Sequence, residues 1–421
     1  MPAFVSPGEA PLSVAYVSPG WPADMIANGV AHYISEISGG LRQNGHRALI
    51  LAQQVAAGDA SADVHDLGAA SPTRTPARRR LDGLSYRIAP DSTWYRQVCR
   101  AVIAEARRAA LERGIQLIEM EEAFGWPRLV KSKVPIPMIV RLHGPWFIMG
   151  PLRGARDDAA FRRRVRHEGE AIRLADGVSA TSQDILDRTR AYYGLPLEDA
   201  VAIPPPAPIV PDSECWRLAE CDPHRILFVG RFDRHKGGDI LIDAFAQVAS
   251  SFPEARLQFV GPDLGLIDDD QRRWTITEYL RARLPAGVLP RVEWMGQQPN
   301  TALRALRCQA LITVVCSRFE NVPTTVLEAM IQGCPLVASD AGGIPEIVVD
   351  GMNGRLCRPG DAADLAAKLG DLLKNPARAE RLGRRARHDC EARLRPAALA
   401  GRMAAFYRRV IERHGQVNQK I

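Results

Sequence analysis

Two aliphatic runs with a short amphipathic segment between them limit this chain more than anything else in it. Ala310 to Cys316 is apolar and rich in β-branched residues, and Leu336-Val337-Ala338 is a second such run. Between them, Val326, Leu327, Ala329, Met330 and Ile331 supply the apolar face of a short helix. Strands apolar on both faces belong to parallel sheets covered by helices on each side. The stretch is therefore predicted as strand, helix, strand, with both strand ends opening on one crevice. Open α/β sheets place their ligands at that carboxyl edge.

What the loop carries is chemistry. Ser317 to Glu346 reads S-R-F-E-N-V-P-T-T-V-L-E-A-M-I-Q-G-C-P-L-V-A-S-D-A-G-G-I-P-E. Glu320 falls at the strand end, Asn321 to Thr325 form the loop and helix entry, and Glu328 lies on the helix. Gly333-Cys334-Pro335 breaks that helix and Gly342-Gly343 makes a tight turn. A helix N-terminus, with free N–H groups and the positive end of the dipole, suits a phosphate. Two glutamates at this spacing, taken alone, describe an ordinary solvated helix face. The whole pattern, E-x7-E followed by A-M-x-x-G-x-P-[LV]-V-A-S-x-x-G-G-x-P-E, resembles the donor-site signature of family 4 retaining glycosyltransferases of the GT-B fold. Many members of that family carry glycines after the first Glu, where this chain has Asn321-Val322-Pro323-Thr324-Thr325. The departure implies a tighter loop, with Thr324 and Thr325 able to cap the helix or offer hydroxyls to phosphates.

At 421 residues the chain exceeds one core's usual size, so two domains of ~200 residues each are expected. Its 46% hydrophobic content can fill both. The apolar runs are strand length, which excludes a transmembrane helix, and no secretory signal is visible at the N-terminus. The eight cysteines form no C-x-x-C pair and read as reduced core residues of a cytoplasmic protein, implying neither zinc nor disulfides. A net charge of +7 comes with clusters at Arg78-Arg79-Arg80 and Arg162-Arg163-Arg164-Val165-Arg166. These read as solvated faces or as contacts for an anionic partner, a charged acceptor or the inner membrane surface. Nucleic acid is disfavoured, because no recognition motif accompanies the charge.

From the N-terminus, Leu12 to Ser18 reads as a strand, Val30 to Asn44 as a helix ending at Gly45, and His46 to Ala52 as a strand. Gly20 and Gly29 stand too far apart for a dinucleotide fingerprint, so NAD binding is disfavoured. Residues 53 to 92 read as a surface excursion. A helix near Trp94 to Glu112 and strands Leu117 to Met120 and Met138 to Leu142 follow, the last delivering His143 to a carboxyl strand end. Glu119, Glu121 and Glu122 crowd the preceding strand end, either as a charged loop or as the lining of an acceptor pocket. The run Pro204-Pro205-Pro206-Ala207-Pro208 is stiff and reads as an interdomain linker.

Beyond it, Arg225 to Val229 reads as a buried strand followed by Gly230-Arg231-Phe232-Asp233-Arg234-His235-Lys236-Gly237 and a helix. Arg231 and Lys236 can converge on a diphosphate, one as a planar fork and the other as a point charge. Asp268-Asp269-Asp270 reads as a helix N-cap and acidic first turn rather than a metal site.

Resemblance to the family, strong over residues 224 to 358, implies two doubly wound Rossmann-like α/β domains facing a central cleft. Residues 1–205, joined by a C-terminal helix of about 399–421, would bind the acceptor, and 206–398 the donor. It implies a metal-independent retaining hexosyl transfer from a UDP-, GDP- or ADP-sugar to a carbohydrate, lipid-linked or small-molecule hydroxyl, with no cofactor besides the donor. Arg231 and Lys236, in a G-R-x4-K-G pattern with Gly230, are assigned to the donor phosphates. Glu320 is assigned to the donor sugar, Glu328 to the ribose, Gly296 and Gln297 to the base, and His143 to the donor sugar. Gly29, Asn321, Val322, Thr324 and Thr325 would complete the donor site. A nucleotide-sugar epimerase and an idle partner subunit of a transferase are the alternatives; the second would have lost the cations or Glu, and here all are present.

Overall fold

The computed structural model describes residues 10–25, 28–56, 63–68 and 93–418. Within it the chain divides into two compact units, one of residues up to Pro206 together with Pro396 onward, the other Ala207–Arg395. The second unit thus interrupts the first in sequence. Its ends are joined by a backbone hydrogen bond from Ala207 N–H to the Leu394 carbonyl (2.9 Å).

Each unit is built on one parallel sheet. In the first, β1 (Ser13–Ser18), β2 (Arg47–Ala52), β3 (Val64–Asp66), β4 (Leu117–Glu121), β5 (Met138–Leu142), β6 (Gly177–Ala180) and β7 (Val201–Ala202) lie in the order β3-β2-β1-β4-β5-β6-β7. In the second, β8 (Asp222–Val229), β9 (Arg256–Val260), β12 (Val292–Trp294), β13 (Ala310–Val315), β14 (Leu336–Ser339) and β15 (Arg355–Cys357) lie in the order β12-β9-β8-β13-β14-β15. A separate hairpin pairs β10 (Leu266–Ile267) with β11 (Arg273–Trp274). Central strands such as β1 and β13 are buried along their whole length, as their uninterrupted apolar sequences require.

Both sheets follow one winding rule. From the first strand of each unit the chain steps outward over two more strands, then returns to the first strand's other side and winds the opposite way. The reversal falls between β1 and β4 in the first unit and between β8 and β13 in the second. The expectation of two doubly wound α/β units is met.

The C-terminal helix begins at Pro396, ahead of the expected start, runs to Asn418 and packs into the first unit. There Tyr407 donates to Glu119 (2.8 Å), Tyr33 donates to the other Glu119 oxygen (2.9 Å), and the Tyr16 and Tyr407 hydroxyls bond to each other (2.9 Å).

Several local expectations change. Part of the excursion after Ala52 is the edge strand β3, paired with β2; residues 71–76 and the cluster Arg78–Arg80 lie outside the described residues. The sixth strand of the second sheet, β15, was not anticipated from the sequence. Asp268 closes the hairpin by accepting from Trp274 Nε1 (2.7 Å), while the next helix, Ile276–Arg283, is capped by Thr275 with Glu278. Among the described residues no helix is long and apolar enough to cross a membrane.

Candidate functional site

At the reversal point of the second sheet, β8 and β13 end side by side, and the loops leaving them carry opposite charges. Lys236 Nζ donates to Glu320 Oε1. Ser317 Oγ donates to the same carboxylate oxygen (3.1 Å), and His235 Nε2 donates to the Phe319 carbonyl (2.8 Å). Asp233 braces the cationic loop from within, accepting from Arg231 Nε (2.9 Å) and from the Lys236 backbone N–H (2.8 Å). Arg231, Lys236 and Glu320 are thus gathered at one strand edge, with the Arg231 side chain 35% and Lys236 24% exposed.

Two glycines permit this approach. Gly237 has φ +73°, and a Cβ there would stand 2.1 Å from the Cys316 carbonyl oxygen. Gly342 has φ +59°, and a Cβ would stand 1.9 Å from the Glu320 carbonyl oxygen. Gly343 N–H donates to that same carbonyl (3.1 Å). Only a residue without a side chain allows β14's loop to rest on the backbone of Glu320.

Burial alone pushes the Glu320 carboxyl up, but the Lys236 charge, His235 and two hydrogen bonds reverse this and leave it below its ordinary value. Burial also keeps the His235 imidazole below its usual range. The site therefore presents an ionised carboxylate against a lysine.

The helix Thr324–Gln332 begins beside Glu320 with Pro323 as N-cap and no side-chain cap. The expectation that Thr324 or Thr325 caps it is not met, since both lie inside the first turn. Asn321 is buried and Val322 half-buried in the entry loop. Glu328 follows one turn after Thr324 and is paired with Arg307, a buried residue of the helix Asn300–Gln309. That helix and its arginine escaped the sequence reading, although Leu303, Leu306 and Arg307 have the spacing of a helix face.

Gly296 and exposed Gln297 follow β12 at the sheet's edge, removed from β8 by β9. They are tied back to it through backbone: Gly261 N–H donates to the Gly296 carbonyl (2.8 Å) and Gly230 N–H to the Val260 carbonyl (2.9 Å).

Gly29 and His143 belong to the first unit. Gly29 opens the helix Gly29–Gln43 behind the cap Asn28, and a Cβ there meets nothing within 4 Å, so the fold makes no demand for glycine. His143 follows β5, with the Tyr33 ring edge-on at 5.2 Å. Burial and the Arg141 guanidinium hold its imidazole well below the ordinary value, hence neutral. Its backbone N–H and that of Gly144 donate to the two oxygens of Glu122 (2.9 and 2.7 Å). Glu119 and Glu122 are buried and fully engaged, which overturns the charged-loop reading for both. Burial pushes Glu122 up to about 8 and Glu121 up to about 7, the nearby Glu168 charge adding to each. The basic cluster on the helix Ala159–Leu174 is likewise partly spent inside the unit. Arg164 lies between the Phe124 and Trp146 rings (3.8 and 3.7 Å) and binds Glu168, whereas Arg162 pairs with Asp157 at the exposed surface.

Comparison with known proteins bears on the same segments. The family profile "Glycosyl transferases group 1" matches residues 218–389, and "Glycosyltransferase Family 4" matches 27–209. The chain belongs to glycosyltransferase family 4.

Similar curated proteins include a glycogen synthase of Mycobacterium tuberculosis, 29% identical over 256 residues, covering 60% of this chain and 58% of that protein. A D-inositol 3-phosphate glycosyltransferase of Nocardiopsis dassonvillei is 28% identical over 250 residues, covering 58% of each. The matches thus span a little over half the length of these relatives. Among solved structures, sucrose-phosphate synthase of Thermosynechococcus elongatus superposes with a TM-score of 0.67 at 21% identity, covering 95% of this chain and 99% of that one. An Anabaena protein, HepE, solved in complex with UDP-glucose gives 0.66 at 19% identity, covering 94% and 98%. The family 4 chain has the two Rossmann-like units of the GT-B fold.

Proposed function

We propose that this chain moves a hexosyl group from a nucleoside-diphosphate sugar to an acceptor hydroxyl, with retention of anomeric configuration and without a metal. The observation that carries the reading is the Lys236–Glu320 pair at the reversal of the second sheet, flanked by Arg231 on its Asp233 brace. Two cations and an uncapped helix N-terminus converge where α/β sheets bind anions.

In this reading the donor diphosphate takes Lys236 and Arg231, and Lys236 turns from Glu320 toward the phosphate. As the bond from the anomeric carbon to the phosphate oxygen breaks, negative charge grows on the leaving diphosphate. Preorganised donors at such a position are worth roughly 2.7 to 4 kcal/mol each. The departing phosphate oxygen takes the proton of the acceptor hydroxyl, which attacks from the same face, so configuration is kept. Glu320, ionised and nearly buried, cannot supply a proton; it holds the sugar hydroxyls. Neutral His143 serves as a hydrogen-bonding partner of the donor sugar, and Glu328 accepts from the ribose. A uridine nucleotide is the first donor to try, since the similar Anabaena protein was solved with UDP-glucose. The names of the curated relatives favour a sugar or polyol acceptor. Membrane contact through the arginines of the helix Ala159–Leu174 forms no part of the proposal, because Arg164 is held within the unit and the exposed Arg162 is already balanced by Asp157.

The test is incubation of the purified protein with UDP-, GDP- and ADP-hexoses, with and without acceptor sugars and with EDTA, read by chromatography and anomeric NMR. An α-linked product from an α-donor that persists in EDTA is expected. An epimerised sugar or free nucleotide formed without acceptor supports the epimerase instead. Near-normal transfer by Lys236→Ala or Glu320→Ala rejects the site assignment.

A further inference from the structure

Arg307 is one of the largest fully buried side chains in the described structure, 1% exposed, yet it is charged. It reaches from the helix Asn300–Gln309 to the helix Thr324–Gln332. There its fork spans two residues four apart on one face: Nη2 donates to Glu328 Oε2, and Nη1 lies 3.5 Å from Gln332 Oε1. Gln332 is itself fixed, its amide donating to the carbonyls of Glu214 (3.0 Å) and Arg304 (3.1 Å). The guanidinium thus has a rigid seat on one side and a single carboxylate on the other.

Stability alone accounts poorly for this arrangement. A buried ion pair packs no better than an apolar pair of the same volume. Arg307 Nε is also buried without a hydrogen-bond partner among the described residues, a net loss that an apolar side chain would avoid. What the pair does provide is a fixed carboxylate. Glu328 uses Oε2 for Arg307 and remains 26% exposed, which leaves its second oxygen for a ligand. On the helix it shares a face with Thr324, one turn back from the uncapped N-terminus. One turn is the kind of separation that lies between the diphosphate and the ribose diol of a single nucleotide.

We propose that Arg307 is a positioning residue that aims the Glu328 carboxylate at the ribose diol and so makes this site selective for ribonucleotides over deoxyribonucleotides. The inference rests on the nucleotide-sugar reading above, and adds to it the residue that enforces the sugar of the nucleotide.

The experiment compares binding of the tightest of UDP, GDP and ADP with its 2′-deoxy and 3′-deoxy counterparts by calorimetry. The wild type is expected to prefer the ribonucleotide by roughly tenfold to hundredfold, the worth of a hydrogen bond to a charged group. Glu328→Gln and Arg307→Met should bring that ratio within a few fold of unity. Arg307→Lys keeps the charge and the fold but not the fork, and should lower the ratio as well. Arg307→Lys, which keeps Glu328 and its counter-charge, carries the test if Arg307→Met does not fold. A merely structural arginine would lower melting temperature and overall affinity without changing the ribo-to-deoxy ratio. Arg307 variants that retain the wild-type ratio while Glu328→Gln loses it overturn the inference and leave the nucleotide reading intact. Equal binding of ribo and deoxy forms by the wild type overturns the Glu328 role and with it that of Arg307. A wild type that binds no nucleoside diphosphate removes the nucleotide reading itself.

Discussion

The two units share a strand order and differ in what they do with carboxylates at its reversal. In the second unit Glu320, after β13, meets Lys236 and stays ionised. In the first, Glu121 and Glu122, at the end of β4, meet another carboxylate, Glu168, and burial pushes them toward the neutral form. One edge presents charge and the other absorbs it. The same topology therefore yields a charged, ion-paired edge in one unit. In the other, Glu122 and Glu168 serve to hold loop backbone, including the N–H groups of His143, Gly144 and Trp146. Winding places a crevice, but side-chain charge decides its use.

The sharpest way to break this contrast is to remove the charge from the second unit. Lys236→Ala is expected to lower transfer by about a hundredfold to a thousandfold, with circular dichroism close to wild type and a lowered melting temperature, because Glu320 loses its counter-charge. Retained transfer would mean that the ionised edge is not where the chemistry lies. Next in size is Gly342→Ala, which places a Cβ against the Glu320 carbonyl at positive φ. A loss of about 2 to 4 kcal/mol in stability is expected, with nucleotide binding weakened in step, measurable by denaturant melts and calorimetry. An unchanged melt would show that the close approach does not constrain the site.

Acidity separates the units by sign. Glu122, raised to about 8 in the folded protein, favours folding most below the ordinary carboxylate pKa, and that contribution disappears as pH rises through 8. Glu320, depressed when folded, contributes above the ordinary carboxylate pKa, and its contribution disappears as pH falls through the lowered value. Hydrogen exchange followed unit by unit should show the first unit loosening as pH rises from the ordinary carboxylate range to about 8, an effect flattened in Glu122→Gln. The second should loosen only in acid, an effect flattened in Glu320→Gln. The same slope in both units would erase the distinction. The smallest expected effect is a control: Thr275→Ala removes a helix cap in the second unit and costs about 1 kcal/mol, leaving transfer at the wild-type rate. A large loss of transfer there would tie activity to general stability rather than to charge.

Much of the second unit was legible in its sequence, because its determinants are local. β-branched runs announce β8 and β13, glycines mark their exits, and Arg231, Lys236, Glu320 and Glu328 sit within the loops and helix that follow. What escaped depends on contacts distant in the chain. Arg307 meets Glu328 only after two helices pack together, and Glu168 meets the loops after β4 and β5 across 44 and 22 residues of sequence. In a linear reading a buried acid and a solvated one look alike, so Glu119 and Glu122 passed as a charged loop. The aspartates at 268–270 misled for the opposite reason. Acidic residues ahead of a helix suggest a cap, yet Thr275 with Glu278 three residues later outcompetes them by closing a reciprocal capping box.

The hydrogen bond between Ala207 and Leu394 has a practical consequence. A segment whose entry and exit are bonded to each other behaves as a cassette: it can be cut out at that joint, expressed alone, or exchanged for the corresponding segment of a relative without stretching the flanking chain. The ion-paired edge of Lys236 and Glu320 would then travel as a single genetic part, while the first unit's two sequence segments, rejoined by a short linker, would keep Tyr407 against Glu119.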